Sequence, residues 1–358
     1  MSGVNICEKQ ELYLNGCDEE ENYCEEYVRA FVEGTVTEIE CDATSIGKNT
    51  LRYQPNLKTV NLPYVTKIPY SEFFQHEQLT YVNIPKVTTI EEGGFNGCHS
   101  LKNIELPVCT SIGDNAFWDC DSLTSINFPK CITVGTDAFY ECDNIESVSL
   151  PVCTSIGASA FEGCDKLSEI SLPVCEEVKG FAFHACDLKS VDLPSCTNIG
   201  TYAFRENGNL TSVNLPVCKT VGDQSFYDCT NLVDVNLPVC EVIVEWAFRH
   251  AAITSMDLPL CTSIGDYAFY LCNKLTSLIL RSDSVCTNGG SNTLTSTPIA
   301  SGTGYIYVPR ALIEEYKTAT NWVTYASQFR ALEDYTDDGT TSGTVNPDKM
   351  QYWAGGEY

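Results

Sequence analysis

LKNIELPVCTSIGDNAFWDCDS, residues 101–122, is one of ten near-copies that follow one another from Leu57 to Lys274. The copies begin at Leu57, Leu79, Leu101, Leu123, Ile145, Leu167, Leu188, Leu210, Leu232 and Ile253; eight are 22 residues long and two are 21. A fixed period of this length means a small unit stacked on copies of itself, because no single unit can bury its own apolar face. Within the quoted copy, Leu101, Ile104 and Leu106 alternate with the polar Asn103 and Glu105, which predicts a short strand with one buried side. Pro107, matched by a proline at the same place in all ten copies, ends ladder pairing and turns the chain. Cys109 and Ile112 then point inward, Gly113 permits a bend, and Ala116 and Phe117 pack from the opposite wall. The phenylalanine recurs in every copy (Phe73, Phe95, Phe117, Phe139, Phe161, Phe183, Phe204, Phe226, Phe248 and Phe269), so stacked rings should form an internal spine.

The flanks depart from the pattern. Residues 36–56 keep Ile39 and the TSIG stretch but lack the LP and AF pairs, as a worn first coil would. Residues 1–35 are expected to form an N-terminal cap, and residues 36–285 a solenoid of about 11 coils. A small α/β cap is expected over 286–335: a strand at Tyr305–Val308, a helix opened by Pro309 and running through Ala319, a second short helix at Trp322–Ala326, and a returning strand at Phe329–Leu332. Residues 336–358 are poor in aliphatics and are expected to be a flexible tail.

The motif LPxCTSIGxxAFxxCxxL resembles the BspA-like class of leucine-rich repeats, described in bacterial surface antigens and in some protist surface proteins, over about residues 36–280. YIYVPRALIEEYKTATNW, residues 305–322, is similar to the C-terminal cap common in such proteins from gut bacteria. The resemblance implies an α/β repeat solenoid, a right-handed leucine-rich-repeat superhelix with a parallel concave sheet of short strands and an irregular convex wall. It also implies a non-enzymatic adhesion or recognition role, at a cell surface or in secreted form.

Charge narrows the partners. Lys and Arg number 21 against 48 Asp and Glu, a formal charge of −27. Nucleic acid and anionic membrane surfaces repel a chain of this sign. Nothing approaches the roughly 20 consecutive apolar residues of a spanning helix, so membrane insertion is not expected. The opening MSGVNICEKQELYLNGC shows no basic segment followed by an apolar run, hence no visible signal peptide. Of 20 cysteines, eight follow the LP turn and seven close the coils. Stacked neighbours would sit about 4.8 Å apart with parallel Cβ vectors, whereas a disulfide needs Cβ atoms nearer about 3.8 Å. Buried, reduced thiols acting as small hydrophobes are therefore expected, which suits a reducing or anaerobic setting. Cys7, Cys17, Cys24, Cys41 and Cys286 match no zinc spacing, Cys7, Cys17 and Cys24 allow at most one disulfide, and no metal or cofactor site is expected.

Two surfaces compete as the binding face. The third and fifth places of each strand should face solvent, giving the candidates Tyr81, Asn103, Glu105, Asn127, Glu169, Asp192, Asn214, Asp234, Asn236 and Asp257. Such groups can bond sugar hydroxyls or a basic peptide, or simply bond one another across strands. The rival surface carries aromatics beside the spine: Trp118, Tyr140, Tyr227 and Tyr270 directly after the phenylalanine, and Tyr202, Trp246 and Tyr267 two places before it. These rings can form stripes that stack on sugar faces, or half-bury against the next coil. No phosphate loop, nucleophile elbow or metal-spaced histidine set is present, and His184 near Cys186 makes no nucleophile pair if that thiol belongs to the buried ladder. The expected function is recognition of a protein or glycan ligand. The alternative is a structural or assembly component acting by self-association.

Overall fold

The computed structural model describes residues 36–335 except 48, 49 and 53, together with the strands Val4–Asn5 and Glu11–Leu12. The rest of 1–35, including Cys7, Cys17 and Cys24, and the expected tail at 336–358 lie outside the described residues. The chain is a parallel-strand solenoid of about 13 turns with a small helical cap at its C-terminal end. It divides into two compact units, Met1–Asp187 and Leu188–Tyr358.

Most coils enter through a three-residue strand whose middle residue is apolar and turned inward. In the first unit Glu38–Glu40, Thr59–Asn61 and Tyr81–Asn83 pair in parallel, with Val4–Asn5 along their edge; Ser125–Asn127, Ser147–Ser149 and Glu169–Ser171 form another set. In the second unit Ser190–Asp192, Ser212–Asn214 and Asp234–Asn236 do the same. Like meets like at an offset of one repeat: Asn61 lies opposite Asn83, and Ile126 opposite Val148. The coil at Leu101 is the exception. It buries Leu101, Ile104 and Leu106 as the alternation predicts but forms no ladder there, and Ser111–Ile112, paired on both sides, ties it to its neighbours instead.

A second ribbon, unforeseen from the sequence, runs through two-residue strands that end on the isoleucine place of the IG pair. In the first unit these are Lys67–Ile68, Thr89–Ile90, Ser111–Ile112, Thr133–Val134, Ser155–Ile156 and Glu177–Val178. Gly113 follows this ribbon without a left-handed φ. Its constraint is crowding, since a Cβ there would meet the Glu91 carbonyl carbon and the Glu92 nitrogen at 2.7 Å.

Left-handed backbone appears instead on the phenylalanine wall, at non-glycine residues two before and two after the ring. Asn115 and Asp119 have φ of 53° and 57°, and Trp246 and His250 of 58° and 66°. This conformation costs about 1–2 kcal/mol per residue. In return, Asn115, Phe117 and Asp119 donate their N–H groups to the Thr136, Ala138 and Tyr140 carbonyls of the next coil at 2.7–2.9 Å. The rings between them stack as expected: centroids lie 4.9–5.3 Å apart from Phe73 to Phe183, and 5.3–5.8 Å apart from Phe204 to Phe269.

None of the 17 described cysteines is in a disulfide, and all are buried. They do more than fill space. Each coil-end thiol donates to the carbonyl of a spine phenylalanine at 3.0–3.2 Å: Cys98 to Phe73, Cys120 to Phe95, Cys142 to Phe117, Cys164 to Phe139, Cys186 to Phe161, Cys229 to Phe204 and Cys272 to Phe248. Where cysteine is replaced, His76 still reaches the preceding coil, while Asn207 bonds within its own coil. Asn207 Nδ2 donates to the Phe204 carbonyl at 3.0 Å, and His76 Nε2 lies 2.8 Å from the Leu51 carbonyl. Ala251 has no side-chain donor. The other row bonds locally, as in Cys109 to the Ser111 carbonyl at 3.4 Å.

The C-terminal cap closes the last coil with buried aromatics whose polar tips meet open backbone groups. The Cys286 N–H donates to Tyr316 Oη at 2.9 Å, Trp322 Nε1 donates to the Cys286 carbonyl at 2.6 Å, and Tyr325 Oη donates to the Ser291 carbonyl at 2.8 Å. Tyr305–Val308 is a strand as expected, and Phe329–Ala331 returns beside it. Pro309 sits just outside a 3₁₀ turn, Arg310–Leu312, that leads into the α-helix Ile313–Thr318; Trp322–Gln328 is also 3₁₀.

Burial pushes the Cys109 and Cys153 thiols up to about 11 from an ordinary value of 9.0. The folded state therefore holds these groups neutral over a range in which the unfolded chain ionises them. Stability should be whole below pH 9 and fall as pH rises toward 11, by roughly 1.4 kcal/mol per unit for each such thiol. Urea midpoints that stay flat from pH 8 to 11 would contradict this. Ala185, held at φ 53° with no polar side chain to compensate, should gain about 1 kcal/mol on Ala185→Gly, read as a higher urea midpoint.

Candidate functional site

The strand-face candidates form a row in each unit and do not converge on a point. In the first unit Tyr81 is 55% exposed, and Asn103, Glu105, Asn127 and Glu169 are exposed around it. In the second, Asp192 is exposed, while Asn214, Asp234, Asn236 and Asp257 are half-buried. Much of their polarity is spent within the row. Asn83 donates to Asn61 at 2.7 Å and Asn61 to Glu40 at 3.2 Å; Asn214 donates to Asp192 at 2.8 Å and Asn236 to Asn214 at 2.7 Å. Asp257 accepts a two-pronged ion pair from Arg281 at 2.8–3.1 Å. An amide ladder of this kind stabilises the sheet, while Asp234 Oδ1 is buried without a hydrogen-bond partner.

The aromatic candidates lie on the phenylalanine wall, all half-buried. In the first unit Trp118 and Tyr140 meet at 4.5 Å between centroids. The second unit holds the denser cluster. Trp246 and Tyr267 stack in parallel at 3.9 Å, with Tyr270 edge-on to Trp246 at 5.8 Å. Two arginines thread it: Arg205 lies over Tyr202 at 5.2 Å and Tyr227 at 4.7 Å, and Arg249 over Tyr227 at 4.4 Å, Tyr270 at 5.7 Å and Trp246 at 5.8 Å. Glu206 pairs with Arg205 at 2.9 Å, and Asp228 lies 3.5 Å from Arg249 and 3.0 Å from His250. Arg249 Nε is buried without a hydrogen-bond partner. Sequence reasoning attended to the aromatics and passed over Arg205 and Arg249. The signal was there, since both directly follow a spine phenylalanine, the place Tyr227 and Tyr270 occupy in their own coils.

A groove of about 670 Å³ along the second ribbon of the first unit also escaped the sequence. Its floor is a hydroxyl row, with Thr133 Oγ1 donating to Ser111 Oγ at 3.3 Å, flanked by Tyr70, Glu91, Asp114 and Lys179. No catalytic pair assembles at His184 and Cys186. The histidine Nδ1 lies 3.1 Å from Glu162, and the thiol bonds the Phe161 carbonyl with its ionisation pushed far up by burial. Among the described residues no helix is long and apolar enough to cross a membrane.

A family profile described as BspA type leucine-rich repeat region matches residues 44–152, 132–218 and 197–304, so the chain belongs to that family. Its members are generally non-enzymatic binding proteins, consistent with protein binding or adhesion. Among solved structures, a leucine-rich cell surface protein from Faecalibacterium prausnitzii is 23% identical over 73% of this chain and 82% of its own, with a TM-score of 0.43. A leucine-rich repeat protein from Bacteroides ovatus is 23% identical over 81% and 88%, with a TM-score of 0.45. The pneumococcal vaccine antigen PcpA is 17% identical over 83% of each chain, with a TM-score of 0.43. Comparison with curated proteins gives no match.

Arg249→Ala removes the cation shared by Tyr227, Trp246 and Tyr270. We expect about 1 kcal/mol of lost stability, with a change in tryptophan emission as the rings loosen. An unaltered spectrum and urea midpoint would show that the guanidinium is not held in the cluster.

Proposed function

We propose that the chain is a non-enzymatic recognition and adhesion protein that docks a protein partner on the aromatic–arginine face of its second unit. The arginine-threaded cluster of Tyr202, Tyr227, Trp246, Tyr267 and Tyr270 is the observation that carries this reading. Tyr, Trp and Arg are the residues that dominate binding energy where two proteins meet. Rings already packed by their neighbours also present a rigid surface, which lowers the entropic cost of docking. The same packing leaves less ring face for stacking a sugar, because Trp246 and Tyr267 each cover one face of the other. The bonds of Asp192, Asn214 and Asn236 to one another on the strand face support placing the partner on the other wall.

Immobilised wild-type protein and the Arg205→Glu/Arg249→Glu variant, presented with a panel of cell-surface and extracellular-matrix proteins, test the reading. At least one protein should be retained by the wild type and lost by the variant, while glycan arrays stay blank. Equal retention by both would remove the face from the proposal. Concentration-dependent sedimentation of the wild type alone would favour the second reading, a structural component that assembles with itself.

A further inference from the structure

Three residues on the coil-end turns of the first unit come together only through stacking. His99 directly follows Cys98, Asp119 directly precedes Cys120, and Asp121 directly follows it. His99 and Asp121 thus hold the same place in successive coils, 22 residues apart. His99 Nδ1 lies 3.7 Å from Asp119 Oδ1 and 3.8 Å from Asp121 Oδ2, and one ligand atom from each of the three falls within 4.8 Å of the others.

The two separations from His99 Nδ1 are too long for hydrogen bonds. They lie near the edge of a coordination tetrahedron, which is about 3.3 Å for bonds of about 2.0–2.1 Å. His99 Nδ1 is shielded from solvent and has no hydrogen-bond partner. Both aspartates and the imidazole are partly exposed, at 41%, 47% and 37%, which leaves a path for a hydrated ion and room for a coordinated water. The place after the coil-end residue is Asp again at Asp143 and Asp165, so the triad heads a column of like charge.

We propose that His99, Asp119 and Asp121 form a binding site for one divalent transition-metal ion of the Zn²⁺ type, clamping the coil of His99 to the coil of the two aspartates. One imidazole nitrogen and two carboxylate oxygens suit such an ion, with water completing the shell. Sequence spacing shows no such set, because metal patterns are read along the chain and these ligands are gathered across coils.

The test uses chelator-stripped full-length protein titrated with Zn²⁺ by calorimetry, beside His99→Gln and Asp121→Asn. All three ligands are surface residues, so the variants should fold as the wild type does. Wild type should bind one more ion than either variant, or bind it at least tenfold more tightly, and Zn²⁺ should raise the melting temperature of the wild type alone. Cobalt bound in its place should give ligand-field bands that lack thiolate charge transfer, which separates this site from any cysteine site. Equal stoichiometry and affinity in the wild type and both variants would overturn the proposal. So would a cobalt spectrum of thiolate type that is unchanged by His99→Gln.

Discussion

Coil sits on coil at an offset of one repeat, and the strand ladders, the coil-end thiol bonds and the ring stacks that join the described coils are made across that offset. Asn115 bonds Thr136, the Cys120 thiol bonds the Phe95 carbonyl, and the Phe117 ring stacks on Phe139. A single coil could keep none of these partners, and each buried polar group left unmatched would cost about 1–3 kcal/mol. The offset therefore limits where length can vary. The shortened coil at Leu232 loses its residue between Ala251 and Ile253, in the turn after the coil-end place, where the 22-residue coils spend one residue more. Across the missing residue the ribbon Val242–Ile243 and the Phe248 ring stay in step with the next coil, whereas the strand ladder ends at Asp234–Asn236.

The same stacking sorts the surfaces. Repetition along the strand face sets amide beside amide, and these satisfy one another. Repetition along the phenylalanine wall sets ring beside ring and, in the second unit, arginine between rings. Repetition at the coil-end turns sets carboxylate beside carboxylate, where mutual repulsion favours a cation. Three surfaces with different chemistry arise from one rule, according to which side chain is copied.

The fold was legible because the apolar residues that define it recur in sequence. Leu, Pro and Phe positions gave the strand, the turn and the stacked spine, and the cap strand at Tyr305–Val308 stands where its alternation put it. The second ribbon was hidden because two-residue strands leave no alternation to read. The left-handed pairs around each phenylalanine were hidden because residues such as Asn115, Asp119, Trp246 and His250 occupy places where glycine is the usual signal. Cysteine reads as a small hydrophobe in the sequence, and its donor role lies in bonds to phenylalanine carbonyls of the preceding coil that no spacing along the chain displays. Of the surface sites, the aromatics of the second unit were visible, whereas Arg249 and the His99–Asp119–Asp121 triad depend on neighbours a full coil away.

Deleting one whole coil, residues 123–144, against deleting half of one, residues 123–133, probes the stacking rule directly. The 22-residue deletion should leave a folded protein with unchanged far-ultraviolet dichroism per residue, buried thiols that resist alkylation, and a modestly lower melting temperature. The 11-residue deletion should set strand against phenylalanine wall and yield a chain whose thiols react at once. Similar thiol protection in both, or loss of it in both, would contradict an architecture built on one-repeat register.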